Sequence, residues 1–348
     1  MHCTMILFYS DYLEGCHPDI LKRFGETNLV QTPGYSEDEY CEAARQTIKN
    51  ACSAPDADVH FLVGGTQTNA TVISSILKPY QGAMCASSGH INVHETGAIE
   101  HSGHKVLAIP SEDGKVSAAQ VEDALKAHYS ESSPEHMVQP GMLYISFPTE
   151  LGTIYTRKEL EAIRKVCNDW EIPLYIDGAR LGYGLESSGC DLLLKDIASL
   201  ADVFYIGGTK QGALFGEAVV IRKESLKADF RYNIKQNGGM LAKGRLLGIQ
   251  FSVLFSEGLY FRLSRNADRL ADRIRDAFRE KGCRFLVENR TNQIFPVISR
   301  EYADRLSDNF GFEFWENVDD DHIAVRFCTS WATTDSNVDA LIEAVRSL

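Results

Sequence analysis

The residue with the clearest chemical setting in this sequence is a lysine held between two apolar runs. Val203-Phe204-Tyr205-Ile206 precedes it and Ala218-Val219-Val220-Ile221 follows, with Gly207-Gly208-Thr209-Lys210-Gln211-Gly212 in the break between them. Such runs read as buried strands, and glycine lets backbone come close to a ligand. At the end of such a strand an ammonium is partly desolvated. Burial disfavours the charged form, and a neutral amine can attack a carbonyl to form a Schiff base. Taken alone, Lys210 reads more simply as a loop side chain carrying its charge out to water; the decision rests on what else the chain supplies.

Four further features are candidates to join it. Phe61-Leu62-Val63 reads as a strand, and Gly64-Gly65-Thr66-Gln67-Thr68-Asn69 leads into an apolar-periodic helix from Ala70 to Leu77. A strand, a glycine turn and a helix start form an anion site, because unpaired N–H groups and the helix dipole converge there. The turn lacks the spaced glycines of a dinucleotide fingerprint and the lysine of a P-loop, so a plain glycine cap is the competing reading. Gly89 to Gly97 carries His90, His94 and Glu95, with His101 and His104 beyond. His90 and His94, four apart, suit zinc if Glu95 or His101 completes the set, but Glu95 follows the second histidine, unlike a metalloprotease signature. The other reading makes His90 a stacking or acid–base imidazole. Asp177 ends the apolar run Leu174-Tyr175-Ile176, where open parallel sheets place ligand chemistry; otherwise it caps the next helix. Arg180, three residues on, can grip a carboxylate or phosphate with two hydrogen bonds. Ser10-Asp11 follows the short run Met5 to Tyr9 and faces either a site or a turn. Arg326, between Val325 and Phe327, points off the core face and can reach into a cleft.

The elements that must position these residues alternate. Strands at Ala83–Cys85, Val106–Pro110 and Met142–Ser146 intersperse with helices at Glu37–Ala51 (behind a Ser36 cap with Glu39 three residues on), Ser117–Tyr129 and Arg157–Trp170. That order predicts an open, largely parallel sheet covered on both faces. After a break at Gly258 and a long amphipathic helix, strands at Arg284–Val287, Ile294–Ile298 and Ile323–Phe327 with helices at Tyr302–Asn309 and Ser336–Ser347 predict a smaller α+β unit. The expected division is a large cofactor-binding domain over 1–245, whose N-terminal segment contributes to the site, and a small domain over 246–348.

With 348 residues, 44% of them hydrophobic, the chain can bury a sizeable core. A net charge of −13 argues against a nucleic-acid surface or a polybasic membrane contact, and favours a small-molecule substrate. No stretch reads as a signal peptide or a membrane span. The nine cysteines lack paired close spacing and are expected as reduced thiols in a cytoplasmic protein.

An anion turn, an imidazole, a strand-end aspartate and a desolvated lysine are together what a pyridoxal 5'-phosphate site requires. The phosphate needs backbone donors, the ring nitrogen a carboxylate, the ring a flat partner and the aldehyde an amine. On Gly64-Gly65-Thr66-Gln67-Thr68-Asn69, His90 with Glu95, Asp177-Gly178-Ala179-Arg180 and the lysine after Ile206, the chain resembles the threonine aldolase branch of the β-eliminating lyases, fold-type I pyridoxal-phosphate enzymes. The resemblance runs from Ser10-Asp11 to Arg326. It implies an α/β fold with a mostly parallel seven-stranded sheet and a smaller C-terminal α+β domain. It implies that Lys210 carries the internal aldimine, Asp177 pairs with the pyridinium nitrogen, His90 stacks on the ring, and Gly65, Thr66 and Gln67 cradle the phosphate. Ser10, Arg180 and Arg326 are implied to bind the substrate carboxylate, and no metal is implied. The assembly implied is at least a homodimer and commonly a homotetramer, with sites at subunit interfaces.

Two positions depart from the pattern of some relatives: Glu150 stands where they have a histidine, and Leu241 where they have an arginine, so that Lys235, Lys243 or Arg245 would serve any cross-subunit contact. The expected reaction is retro-aldol cleavage of a β-hydroxy-α-amino acid such as threonine to glycine and an aldehyde, with His90, Glu150 or a water they hold as the base. β-Elimination or transamination on the same cofactor is the nearest alternative; a non-catalytic binding protein or a zinc protein is the more distant one.

Overall fold

The computed structural model describes residues 5–347. Among the described residues the strands, in chain order, are β1 (Ile6–Leu7), β2 (Asp58–Leu62), β3 (Gln81–Ala86), β4 (Lys105–Ile109), β5 (Gln139–Ser146), β6 (Leu174–Asp177), β7 (Val203–Gly207), β8 (Glu217–Ile221), β9 (Gln293–Ile294), β10 (Val297–Ser299), β11 (Phe310–Gly311), β12 (Glu313–Asn317) and β13 (His322–Cys328). Seven of them make one sheet in the order β2-β8-β7-β6-β5-β3-β4. Pairing is parallel from β7 through β6, β5 and β3 to β4, whereas β8 runs antiparallel to both β2 and β7. The central strands are buried along their length, as a sheet covered on both faces requires, which is why their sequences are apolar runs without alternation. Helices Glu39–Ala51, Ala118–Tyr129, Arg157–Asp169 and Arg245–Phe255 pack into the core on one face, and helix Gly65–Ile76 into the core on the other.

A second core gathers Leu270 to Phe278 of the long helix Leu259–Glu280 with Ile294, Phe310, Val325, Phe327 and the last helix, Asp335–Ser347. Leu247, Phe251, Leu254, Phe255 and Tyr260 pack with the first core, and the second draws on the long helix from Leu270 onward. Phe8 belongs to the second core and β1 pairs with β11 in parallel, so the N-terminal segment is tied to the small unit before it crosses to the sheet.

Several local expectations shift. Helix Glu39–Ala51 is capped by Asp38, whose Oδ1 accepts the Cys41 N–H at 2.9 Å; Ser36 lies two residues ahead of that cap position. The helix after the glycine turn starts at Gly65, five residues earlier than its apolar periodicity suggests. Arg284–Val287 forms only one bridge, Phe285 to Pro296, and Ile294–Ile298 divides into β9 and β10. A proline at 296 has no N–H to continue the ladder. Strand β12 escaped notice because its residues are mostly polar and exposed. The eight described cysteines are free, and Cys3 lies outside the described residues. No helix among the described residues is long and apolar enough to cross a membrane.

Candidate active site

Strands β3, β5, β6 and β7 end at one edge of the sheet, and the antiparallel β8 begins there, with Glu217 opposite Gly207 and Leu62. A cavity of about 270 Å³ opens at this edge, near the lower end of the ~300–1,000 Å³ usual for ligand pockets. Gly65, Thr66, His90, Glu150, Asp177, Arg180 and Lys210 all line it. Residues far apart in sequence, such as Gly65 and Lys210, thus meet in one space.

The anion corner follows from the strand–turn–helix order. Gly64 is the N-cap of helix Gly65–Ile76, and Thr68 is the first residue to donate back, to the Gly64 carbonyl at 3.0 Å. The N–H groups of Gly65, Thr66 and Gln67 therefore have no acceptor within the helix. The Gln67 side chain does not line the cavity. Its Oε1 accepts from Val63 N–H at 3.2 Å and its Nε2 donates to the Asn237 carbonyl at 3.1 Å, which fixes the turn.

A buried network surrounds Asp177. Its Oδ2 accepts from Tyr144 OH at 2.6 Å and from Asn69 Nδ2 at 3.1 Å, and its Oδ1 from Ala179 N–H at 2.9 Å. The Asn69 amide also donates to Glu95 Oε1 at 2.7 Å, and Tyr175 OH donates to Asn69 Oδ1 at 2.8 Å, which fixes the amide's orientation. Burial works against an ionised Asp177, but the neighbouring His90, the Tyr144 and Tyr205 hydroxyls and the Ala179 N–H outweigh it and hold the carboxyl below its ordinary range. The same aspartate closes a turn onto Ala179 but does not cap the next helix, Leu181–Glu186, whose N-cap is Arg180 and which has no side-chain cap. A side chain at Gly178 would put its Cβ 1.9 Å from the Tyr205 carbonyl oxygen, so only glycine fits between β6 and β7 here.

His90 Nδ1 lies 2.8 Å from Glu95 Oε1, which orients the ring through its inner nitrogen. His90 N–H donates to Glu150 Oε1 at 2.9 Å, and Ser146 OH donates to the same oxygen at 2.6 Å. Burial raises the Glu150 carboxyl above its ordinary range. The loop that carries it is tied to the small unit by Asn289, which donates to the Leu151 carbonyl, and by Thr291, which donates to the Gly152 carbonyl. The histidines do not gather on a metal: among the described residues no group of three or more His, Cys, Asp or Glu is placed to hold one.

Lys210 sits in a tight turn between β7 and β8, where Gly212 and Gly216 take φ values of 101° and 124° that side chains disfavour. Tyr183 OH donates to the Lys210 carbonyl at 2.6 Å. Burial first, and then the nearby Arg180 charge, lower the amine's pKa, as a nucleophilic lysine requires.

Arg180 is not free in this structure. Asp11, buried, accepts from its Nε at 2.7 Å and its Nη2 at 3.1 Å, and Asn292 donates to the same carboxylate at 2.9 Å. Ser10 is buried beside Asp11 but does not line the cavity, and neither does Arg326. Arg326 pairs with Glu313 and donates to the Tyr9 carbonyl and to Gln293. Sequence reasoning named Asp11 beside Ser10 and Asn69 within the glycine turn without giving either a role, and did not single out Tyr144, Tyr205 or Glu217. Asn69 and Asp11 stood in stretches already marked, while Tyr144 and Glu217 looked like ordinary strand residues.

Known proteins resemble this chain in sequence and fold. The Beta-eliminating lyase family matches residues 10–300. A threonine aldolase structure from Leishmania major superimposes with a TM-score of 0.96 at 42% identity, over 98% of this chain and 99% of that one. The low specificity L-threonine aldolase of Pseudomonas sp. (strain NCIMB 10558) is 28% identical over 345 residues, 98% of this chain and 97% of its own. An aspartate aminotransferase from Thermus thermophilus shares the fold alone, with a TM-score of 0.72 at 13% identity over 99% of this chain and 92% of that one. The α/β chain with its seven-stranded, mostly parallel sheet is a fold-type I enzyme, and it belongs to the β-eliminating lyase family of pyridoxal-phosphate-dependent lyases.

Proposed function

We propose that this enzyme cleaves a β-hydroxy-α-amino acid of the threonine or allo-threonine class to glycine and an aldehyde. The observation that carries the reading is the opening of a desolvated lysine, an ionised aspartate, a glutamate-oriented imidazole and a free helix N-terminus onto one cavity.

Those four features fit pyridoxal phosphate. Lys210 would hold its aldehyde, Asp177 its ring nitrogen, His90 its ring face, and the Gly65, Thr66 and Gln67 N–H groups its phosphate. When bound, the cofactor supplies an electron sink that lets a bond at the substrate α-carbon break. The remaining work falls to the chain. Arg180 is held by Asp11 through Nε and Nη2, which leaves Nη1 for a substrate carboxylate. Ser10 and Arg326 are the further carboxylate candidates, and Arg326 would first have to leave Glu313. Glu150, or His90 beside it, takes the proton from the substrate hydroxyl. Burial, which raises the Glu150 carboxyl above its ordinary range, makes its carboxylate the stronger base for that step.

The finer features of the reading are a homodimer or homotetramer in the cytoplasm, built from a large domain over 1–245 and a small one over 246–348.

The test pairs a variant with parallel product assays. Lys210→Ala should lose both the yellow colour of the cofactor-loaded protein and threonine cleavage. Wild type should release aldehyde and glycine, and release of pyruvate with ammonia, or of a keto acid, would replace the aldolase reading with elimination or transamination. A coloured, fully active Lys210→Ala variant would refute it.

A further inference from the structure

Glu217 is a third carboxyl on the cavity wall, and the proposed reaction gives it no role. It is 4% exposed, starts β8, and lines the cavity together with Gly64, Thr66, Thr209 and Lys210. Its register partner on β2 is Leu62, two residues before the Gly64 N-cap, so it stands beside the helix N-terminus where an anion would sit. Its Oε1 accepts from Thr209 OH at 2.8 Å and its Oε2 from Gly208 N–H at 3.2 Å. A phosphate dianion and an ionised carboxylate cannot share a desolvated corner without strong repulsion; one of them must take a proton.

We propose that Glu217 binds the cofactor's phosphate as a neutral carboxylic acid, taking a proton from solvent when the phosphate arrives and donating it as a hydrogen bond. The proposal rests on the pyridoxal-phosphate reading of the site. Before the phosphate arrives, burial already raises this carboxyl to about 8, even with the Lys210 charge nearby to lower it. A second negative charge pushes it further up. With Gly208 still donating to one oxygen, a protonated carboxyl has an O–H left for the ligand.

The experiment compares pyridoxal 5'-phosphate with pyridoxal, which offers the same aldehyde to Lys210 but no phosphate. Both are titrated into the full chain freed of cofactor, by calorimetry in buffers of different ionisation heat, at about pH 9, where the phosphate's own second ionisation near 6 is complete. The phosphorylated compound should take up close to one proton more than pyridoxal in wild type. Above about pH 8 its affinity relative to pyridoxal should fall roughly tenfold per pH unit. Glu217→Gln, whose amide can donate without a proton, should remove both differences. Equal proton counts for the two ligands in wild type overturn the assignment, as does the same pH profile in wild type and Glu217→Gln. If the variant does not fold, the wild-type proton count still decides. If neither compound gives a yellow Lys210 adduct, the cofactor reading fails, and the Glu217 proposal with it.

Discussion

Asp177 and Glu217 face the same cavity from neighbouring parts of one sheet edge, and both are almost wholly buried, yet their charge states are driven in opposite directions. Burial pushes each carboxyl up. Around Asp177, two tyrosine hydroxyls, an amide, a backbone N–H and the adjacent imidazole outweigh it. Glu217 has one hydroxyl, one N–H and a partly desolvated lysine, which do not. The count of donors aimed at a buried carboxylate, more than its depth, decides whether it stays ionised. One corner of the cavity thereby keeps a carboxylate charge and the other favours a neutral carboxyl.

Removing the charge at the first corner should have the largest effect. Asp177→Asn keeps shape and burial but loses the anion, and kcat should fall by about a hundred- to a thousand-fold, the usual loss for a preorganised electrostatic partner; a steady-state assay with threonine decides. Stripping the donors comes next. Asn69→Ala leaves Asp177 and Glu95 each short of a hydrogen bond in a buried setting, at a cost of about 1–3 kcal/mol by thermal or denaturant unfolding. An unchanged midpoint would mean that water replaces the amide.

The pH dependence of stability separates the two corners. The folded-state pKa of Asp177 is depressed, so its contribution is present above the ordinary aspartate range and is lost as pH falls through the folded value. Glu217 has the opposite sign: the folded chain keeps its proton longer than the unfolded chain, so stability falls as pH rises from 4.5 toward about 8. In cofactor-free protein, Glu217→Gln should therefore gain melting temperature over wild type at about pH 9 and not at about pH 4, by roughly 1–3 °C per kcal/mol recovered for a chain of this size. Equal differences at both pH values would break the comparison. The smallest change is Tyr144→Phe, which deletes one of Asp177's donors for about 0.5–1.5 kcal/mol and should cut kcat no more than roughly tenfold.

The residues that could be read directly from the chain share one property: each interrupts a strong local pattern. Lys210 breaks two apolar runs with glycines, Asp177 ends another, and Gly64-Gly65 joins a strand to a helix. Glu217 shows no such break, because a glutamate ahead of Ala218 to Ile221 looks like the polar edge of a strand. Only its pairing with Leu62 and Gly207 brings it to the cavity. Asp11 was visible as a polar residue after a short run, but its grip on Arg180, 169 positions away, was not. The polar exposed strand β12 was missed for the same reason: its pairing with β13 is a neighbour in space, not in sequence.

The amino-acid order alone determined the alternation of strands and helices, the sheet's burial on both faces, and the lysine, aspartate, histidine and glycine turn at the strand ends. Those follow from periodicity and backbone freedom, which act over a few residues. Tertiary structure alone decided which carboxyls keep their protons, where Arg180 spends its hydrogen bonds, and that the small unit's core begins within a helix. Electrostatics and packing depend on the distances between residues far apart in the chain, and only the folded sheet sets those distances.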